Sequence, residues 1–189
     1  MSPPDSDPDD SDLVRMVQGG DKERFSLLIG RHQRAVFGLG LGFFKNREDA
    51  ADFTQDVFLK AFRNLSSFQG RSKFSTWLYR IAYNTAINAL KRRKEYASLA
   101  EDAELADYDD PERQALGETT RAAVLSAVKD LPERYRICVD LYFFFGVPYP
   151  DIETITGFPV NTIKSHVFRA KSILRETLKN ENQGMRIRE

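Results

Sequence analysis

Between Val160 and Arg169 the side chains Asn161, Thr162, Lys164, Ser165, His166, Phe168 and Arg169 fall on one side of a helical period, while Ile163, Val167, Ala170 and Leu174 recur on the other. Amides, hydroxyls and cationic groups at that spacing are the donors and acceptors that base edges and phosphates require. The preceding residues supply the geometry. Asp151–Thr156 reads as a short helix, Gly157-Phe158-Pro159 as a tight turn and Val160–Leu178 as a longer helix, which together make a helix-turn-helix. An ordinary helical hairpin with a basic face has the same pattern, so both readings stand on these residues alone.

A second constellation lies between Phe62 and Lys94. Phe68, Phe74, Trp77, Tyr79 and Tyr83 interleave with Arg63, Arg71, Lys73 and Arg80. Aromatic rings beside a cationic groove hold unpaired bases by stacking; at helical spacing the same rings also serve as core. The polar stretch Asn64, Ser67, Phe68, Gln69, Gly70, Arg71 and Ser72 is harder to account for as core and suits a loop that receives a flipped base. A third stripe, Asp52, Gln55, Asp56, Leu59 and Arg63, shares one face by three-and-four spacing. It reads either as a solvated charged face or as a docking surface for a basic helix.

The elements that carry these groups are all helical in period. Asp12 is a plausible N-cap for a first helix stopped by Gly19-Gly20, and Phe25, Leu28, Ile29, His32, Val36 and Phe37 form the stripe of a second. Asn46 is placed to cap a third helix with apolar face Ala50, Phe53, Val57, Phe58, Ala61, Phe62 and Leu65. Ser72 or Ser75 is placed to cap a fourth, which ends in Lys91-Arg92-Arg93-Lys94. No β-rich segment and no internal repeat is legible. The expected fold is all-α: an acidic disordered tail (1–10), a helical domain (11–95), an acidic flexible linker (96–118), a helix-turn-helix domain (119–180) and a C-terminal tail (181–189).

The formal net charge of zero hides strong segregation. Residues 1–12 sum to −5, 71–94 to +7, 95–118 to −8 and 158–180 to +4. Two basic faces separated by acidic segments fit a nucleic-acid partner better than the average does. Cys138 is the single cysteine, and His32 and His166 are the only histidines. No zinc-ligand spacing, phosphate-binding glycine loop or catalytic pairing is present, so no metal, no cofactor and no enzymatic chemistry are expected. A lone cysteine, no apolar run long enough for a bilayer and an acidic, Pro-rich start unlike a signal or transit peptide point to a cytoplasmic protein.

Two long stretches carry a family resemblance. Asp49 to Arg93 (DAADFTQDVFLKAFRNLSSFQGRSKFSTWLYRIAYNTAINALKRR) resembles region two of the extracytoplasmic-function (ECF) sigma factors of bacterial RNA polymerase, and Leu131 to Leu178 resembles their region four. The resemblance implies a transcription-initiation factor that binds core polymerase and directs promoter recognition and melting. The neighbourhood of Asp52, Gln55, Asp56 and Phe58 would bind the clamp helices of the polymerase β′ subunit, and region four would grip the β flap. Asn64–Ser72 would capture a flipped base of the −10 element, and Lys73, Trp77, Arg80 and Asn84 would melt and hold that strand. The Val160–Arg169 helix would read duplex DNA at −35, chiefly through Lys164, Ser165, Phe168 and Arg169. The acidic linker would run towards the active-site and RNA-exit channel, and an anti-sigma protein is a common partner. The chain departs from the family pattern in Asp52-Phe53-Thr54-Gln55, where relatives carry Asp-Leu-Val-Gln, in Pro150, and in the aromatic run Phe143–Phe145. A free-standing helix-turn-helix regulator is the other reading; it leaves the Asp52/Asp56 stripe and the aromatic-basic helix without a role.

Overall fold

The computed structural model describes residues 8–99, 124 and 126–186. Every regular element among them is helical, and the chain divides into two compact units, Met1–Glu104 and Leu105–Glu189.

In the first unit, α1 (Asp10–Gln18) begins one turn before the expected cap. Asp9 is the N-cap, its carboxylate accepting the Asp12 N–H at 2.8 Å, and Asp10 and Asp12 lie in the first turn, where the helix dipole favours negative charge. Leu13, Val14 and Val17 are buried, and Gly19 ends the helix. Asp10 belongs to this helix rather than to a disordered tail; residues 1–7 lie outside the described residues. Its carboxylate accepts from Arg31 at 3.1 Å and lies 2.6 Å from His32 Nε2, which fastens α1 to α2 (Phe25–Phe44).

Helix α2 ends at Lys45 in the left-handed conformation (φ 59°), and Asn46 at once caps α3 (Arg47–Asn64), its side chain accepting the Asp49 N–H at 2.7 Å. The two helices approach closely at Gly40, where an added Cβ would lie 2.7 Å from Phe53 Cδ1 and 3.1 Å from Ala50 Cα. Ala50, Phe53, Val57, Phe58 and Ala61 form the buried stripe of α3. Helix α4 (Phe74–Leu99) completes the bundle with Phe74, Leu78, Ala82 and Ala86 inward. Neither serine caps it: Ser75 lies inside the first turn, and the carbonyl of Lys73 accepts the first helical N–H, from Trp77, at 3.2 Å. The helix also runs past the basic cluster, because Glu95 to Leu99 contain no Gly or Pro to stop it. The remaining expected linker, 100–118, lies outside the described residues.

In the second unit, residues 126–129 are helical and lead through Leu131-Pro132 into α5 (Glu133–Val139). A π-helical turn follows, Asp140–Phe144, with the Phe145 N–H donating to the Asp140 carbonyl at 3.1 Å. The wider turn is a feature that the apolar run of this region does not encode. Helix α6 (Tyr149–Thr156) opens with Pro150 in its first turn, where a missing N–H costs nothing, and ends at Gly157 (φ 76°). Helix α7 (Val160–Arg186) is longer than expected: it extends through the segment read as a C-terminal tail, of which 187–189 lie outside the described residues. Val128, Leu131, Val139 and Ala170 form one core cluster, with Val124, Tyr135 and Leu174 packed against it.

Gly40→Ala sets a helix-propensity gain of up to about 1 kcal/mol against overpacking of about 1–3 kcal/mol. The contact distances, one to backbone, favour the second. The expected outcome in calorimetry is a drop of about 4 °C or more in the unfolding midpoint of the first unit; an unchanged or raised midpoint contradicts the close-approach reading.

Candidate nucleic-acid and protein interfaces

The turn between α6 and α7 is set by two local devices. Gly157 adopts the left-handed conformation that a β-carbon disfavours, its N–H donating to Glu153 at 2.8 Å, and the Thr156 hydroxyl accepts the Phe158 N–H at 3.2 Å. Helix α7 then buries Ile163, Val167 and Ala170. The 3.6-residue period leaves Asn161, Lys164, Ser165, Phe168 and Arg169 outward and Thr162 half-buried. Phe168 is 71% exposed, unusual for a large aromatic side chain on a packed helix. Ser165 donates to the Asn161 carbonyl at 2.9 Å, and an Arg169 guanidinium N–H reaches the Tyr135 hydroxyl at 3.4 Å. Tyr135, on α5, was not among the expected site residues; nothing in its sequence position marks it as Arg169's neighbour.

His166 departs from the expectation that it faces DNA. Its ring is half-buried between Tyr135 (5.1 Å between centroids) and the edge of Phe158 (5.5 Å), with Nδ1 3.7 Å from Cys138 Sγ. Burial, with Arg134 and Arg169 nearby, lowers its pKa and favours the neutral imidazole. It packs α7 onto α5 and is half-buried rather than fully outward.

In the first unit the expected base-capture segment is an ordered turn. Asn64 ends α3, its amide donating to the Lys60 carbonyl at 2.8 Å and its own carbonyl accepting from the Ser67 hydroxyl at 2.7 Å. Leu65–Ser67 form a 3₁₀ turn closed by the Phe68 N–H on Leu65 O at 3.0 Å. Phe68 is half-buried against Trp77 and Phe74, with centroids at 5.2 and 6.1 Å. Gln69, Gly70, Arg71, Ser72 and Lys73 follow, all exposed, with Gly70 at φ 69°. Trp77, Arg80 and Asn84 are spaced to share one stripe of α4, and Lys73 directly precedes the helix; Trp77 is half-buried and the other three are exposed. Trp77 is thus both core and surface, as the two readings of the aromatics allowed. Gln18, at the end of α1, donates from Nε2 to the carbonyls of Leu65 (2.8 Å) and Phe68 (3.0 Å), a contact across some fifty residues that no local pattern signals.

On α3, Asp52, Gln55 and Asp56 are exposed, and Leu59 beside them is 55% exposed. Asp56 pairs with Lys60 at 2.7 Å. Phe58 is corrected: at 5% exposure it packs edge-on against Phe25 in the core and supports this face from beneath. Arg93 braces the other end of the unit. It lies 2.8 Å from Asp49 and over the Phe44 ring at 5.1 Å. Burial raises the Asp49 pKa, but hydrogen bonds from Arg93 and Asn46 outweigh it and hold the carboxyl below its ordinary value.

Among the described residues no three His, Cys, Asp or Glu side chains converge in a metal-holding group, and no helix is long and apolar enough to cross a membrane.

Comparison with known proteins matches residues 28–96 to the Sigma-70 region 2 family and residues 121–174 to Sigma-70, region 4. The RNA polymerase sigma-H factor of Pseudomonas aeruginosa is 40% identical over 180 residues, covering 89% of this chain and 93% of that protein. The ECF RNA polymerase sigma-E factor of Haemophilus influenzae is 41% identical over 176 residues, covering 87% and 93%. Among solved structures, the sigma factor RpoE of Bartonella quintana, crystallised with the anti-sigma factor NepR, aligns with a TM-score of 0.70 at 24% identity, covering 82% of this chain and 96% of that one. The fold is shared with CnrH, solved in complex with the cytosolic domain of CnrY, at a TM-score of 0.65 and 24% identity, covering 89% and 96%.

Burial pushes the Cys138 thiol up to about 11, so almost none is thiolate near neutrality. Ellman's reagent at pH 8 is expected to react with Cys138 only after denaturation. Rapid stoichiometric reaction in the native chain would show that the α5–α7 core is open.

Proposed function

The chain belongs to the ECF family of RNA polymerase sigma factors, and from that premise we propose how its two units divide the work of promoter opening. The observation that supports the proposal is that one polypeptide presents two different basic surfaces. An outward basic helix face fits paired DNA, and an aromatic-basic turn and stripe fit opened DNA.

The outward face of α7 reads the −35 element in the major groove. Asn161, Lys164, Ser165 and Arg169 supply polar contacts, and Phe168 supplies an apolar surface of the kind that meets a thymine methyl group. The Asn64–Ser72 turn receives a flipped base of the −10 element, and Lys73, Trp77, Arg80 and Asn84 guide the unpaired strand along α4. Melting needs no covalent step. Each base stacked on protein replaces part of the stacking it loses in the duplex, so selective binding of the single strand shifts the equilibrium towards the open form. The factor therefore works as a binding module without catalytic chemistry or a cofactor of its own.

Asp52, Gln55 and Asp56 dock on the clamp helices of the β′ subunit, and region four engages the β flap, for which the exposed Tyr142, Phe143 and Phe144 offer an apolar surface. The protein acts in the cytoplasm, and an anti-sigma protein holds it inactive, in keeping with the complex in which the Bartonella sigma factor was captured.

Two substitutions test this assignment. Reversing Asp52 and Asp56 to Lys is expected to abolish co-purification with core polymerase while leaving thermal unfolding unchanged, because both residues are exposed; normal co-purification contradicts the docking role. Arg169→Ala is expected to weaken holoenzyme recognition of the −35 element roughly tenfold, read by competition between promoters with intact and scrambled −35 sequences. Equal discrimination by variant and parent contradicts the base-reading role.

A further inference from the structure

The base-capture turn is tied down by a residue from a helix distant in sequence. Gln18 Nε2 lies 2.8 Å from the carbonyl oxygen of Leu65 and 3.0 Å from that of Phe68. Two acceptors facing one group identify it as the amide nitrogen, since a carbonyl oxygen there would confront two others. The two carbonyls bracket the 3₁₀ turn, and the Leu65 oxygen already accepts the Phe68 N–H at 3.0 Å. One primary amide therefore spans the turn from its first residue to the residue just after it.

Gln18 is itself held in place. It is the last residue of α1, directly before the Gly19 C-cap, and α1 is anchored by buried Leu13, Val14 and Val17 and by Asp10 on Arg31 and His32. Below the turn, the Phe68 ring rests on Phe74 and Trp77. Gln18 from one side and these rings from the other fix the turn just where the exposed Gln69–Lys73 segment begins.

We infer that Gln18 is a positioning residue for −10 recognition: by bridging the Leu65 and Phe68 carbonyls it holds the turn in its base-receiving shape before DNA arrives. An unbridged turn would lose conformational freedom at the moment of capture and discriminate among bases less sharply. The inference rests on the reading of Asn64–Ser72 as the base-capture segment.

The test uses the full-length chain, free and assembled with core polymerase. Gln18→Glu is isosteric but sets a carboxylate against two carbonyls; Gln18→Met removes the donor without adding charge. Both variants are expected to speed amide hydrogen exchange at Phe68, whose N–H is held by the Leu65 carbonyl, in the free protein. Both are also expected to lower discrimination among −10 sequences about tenfold in a promoter-library transcription assay, the scale of one lost hydrogen-bonding group. The −35 preference and the affinity for core polymerase should stay at parental values. A chain with exchanged Ser66–Arg71 is assayed in parallel. If that exchange shifts the −10 preference and the Gln18 variants do not, this inference alone fails. If neither shifts it, the base-capture reading fails and takes the inference with it. Equal losses at −10 and −35, or lost polymerase binding, would assign Gln18 a general structural role and overturn the proposal.

Discussion

A helix that buries one stripe has no freedom over what it shows on the other, and in the second unit this constraint determines the whole outward face of α7. Ile163, Val167 and Ala170 are sunk into the core, so Asn161, Lys164, Ser165, Phe168 and Arg169 must point outward together. Hydrophobic burial sets the rotation of the helix, and Gly157 with the Thr156 hydroxyl sets its starting point. The exposure of Phe168 is thus imposed by the packing of its neighbours. A large exposed ring is tolerable when a partner covers it, which ties the packing of the unit to its use.

The first unit solves a different problem. A turn built of exposed polar groups on a permissive backbone tends towards disorder. Here the turn after α3 is restrained on three sides. Asn64 and Ser67 close it locally, Phe68 seats it on Phe74 and Trp77, and Gln18 reaches it from α1. The same logic holds at the other end, where Arg93 joins Asp49 and the Phe44 ring, so that the basic end of α4 is fixed against the α2–α3 corner.

Much of this is legible in the sequence because it follows from period and local chemistry. The buried stripes of α3, α4 and α7, the Asn46 cap and the Gly157 turn are one-dimensional signals. What was not legible depends on distance or on competition between similar signals. Asp9 caps α1 although Asp12 looks equally suited, since either carboxylate can accept an N–H three residues on. Phe58 and Phe62 share the apolar face of α3, but Phe58 is buried and Phe62 is 37% exposed, a difference that only the packing of Phe25 resolves. His166 has the chemistry of a DNA contact, yet it is half-buried against Tyr135 and Phe158. Tyr135 and Gln18 are invisible to pattern because their partners lie far along the chain. Residue chemistry leaves the acidic stripe of α3 open between a solvated face and a docking surface; only the family resemblance implies the second.

The central claim is that two basic helical modules are carried to a promoter by polymerase and act there on paired and on opened DNA. Run-off transcription with purified core polymerase and a promoter library tests it most directly. Adding this chain should create initiation at discrete start sites downstream of a shared pair of −35 and −10 sequences. Core polymerase that initiates with the same pattern whether or not the chain is present would contradict the account.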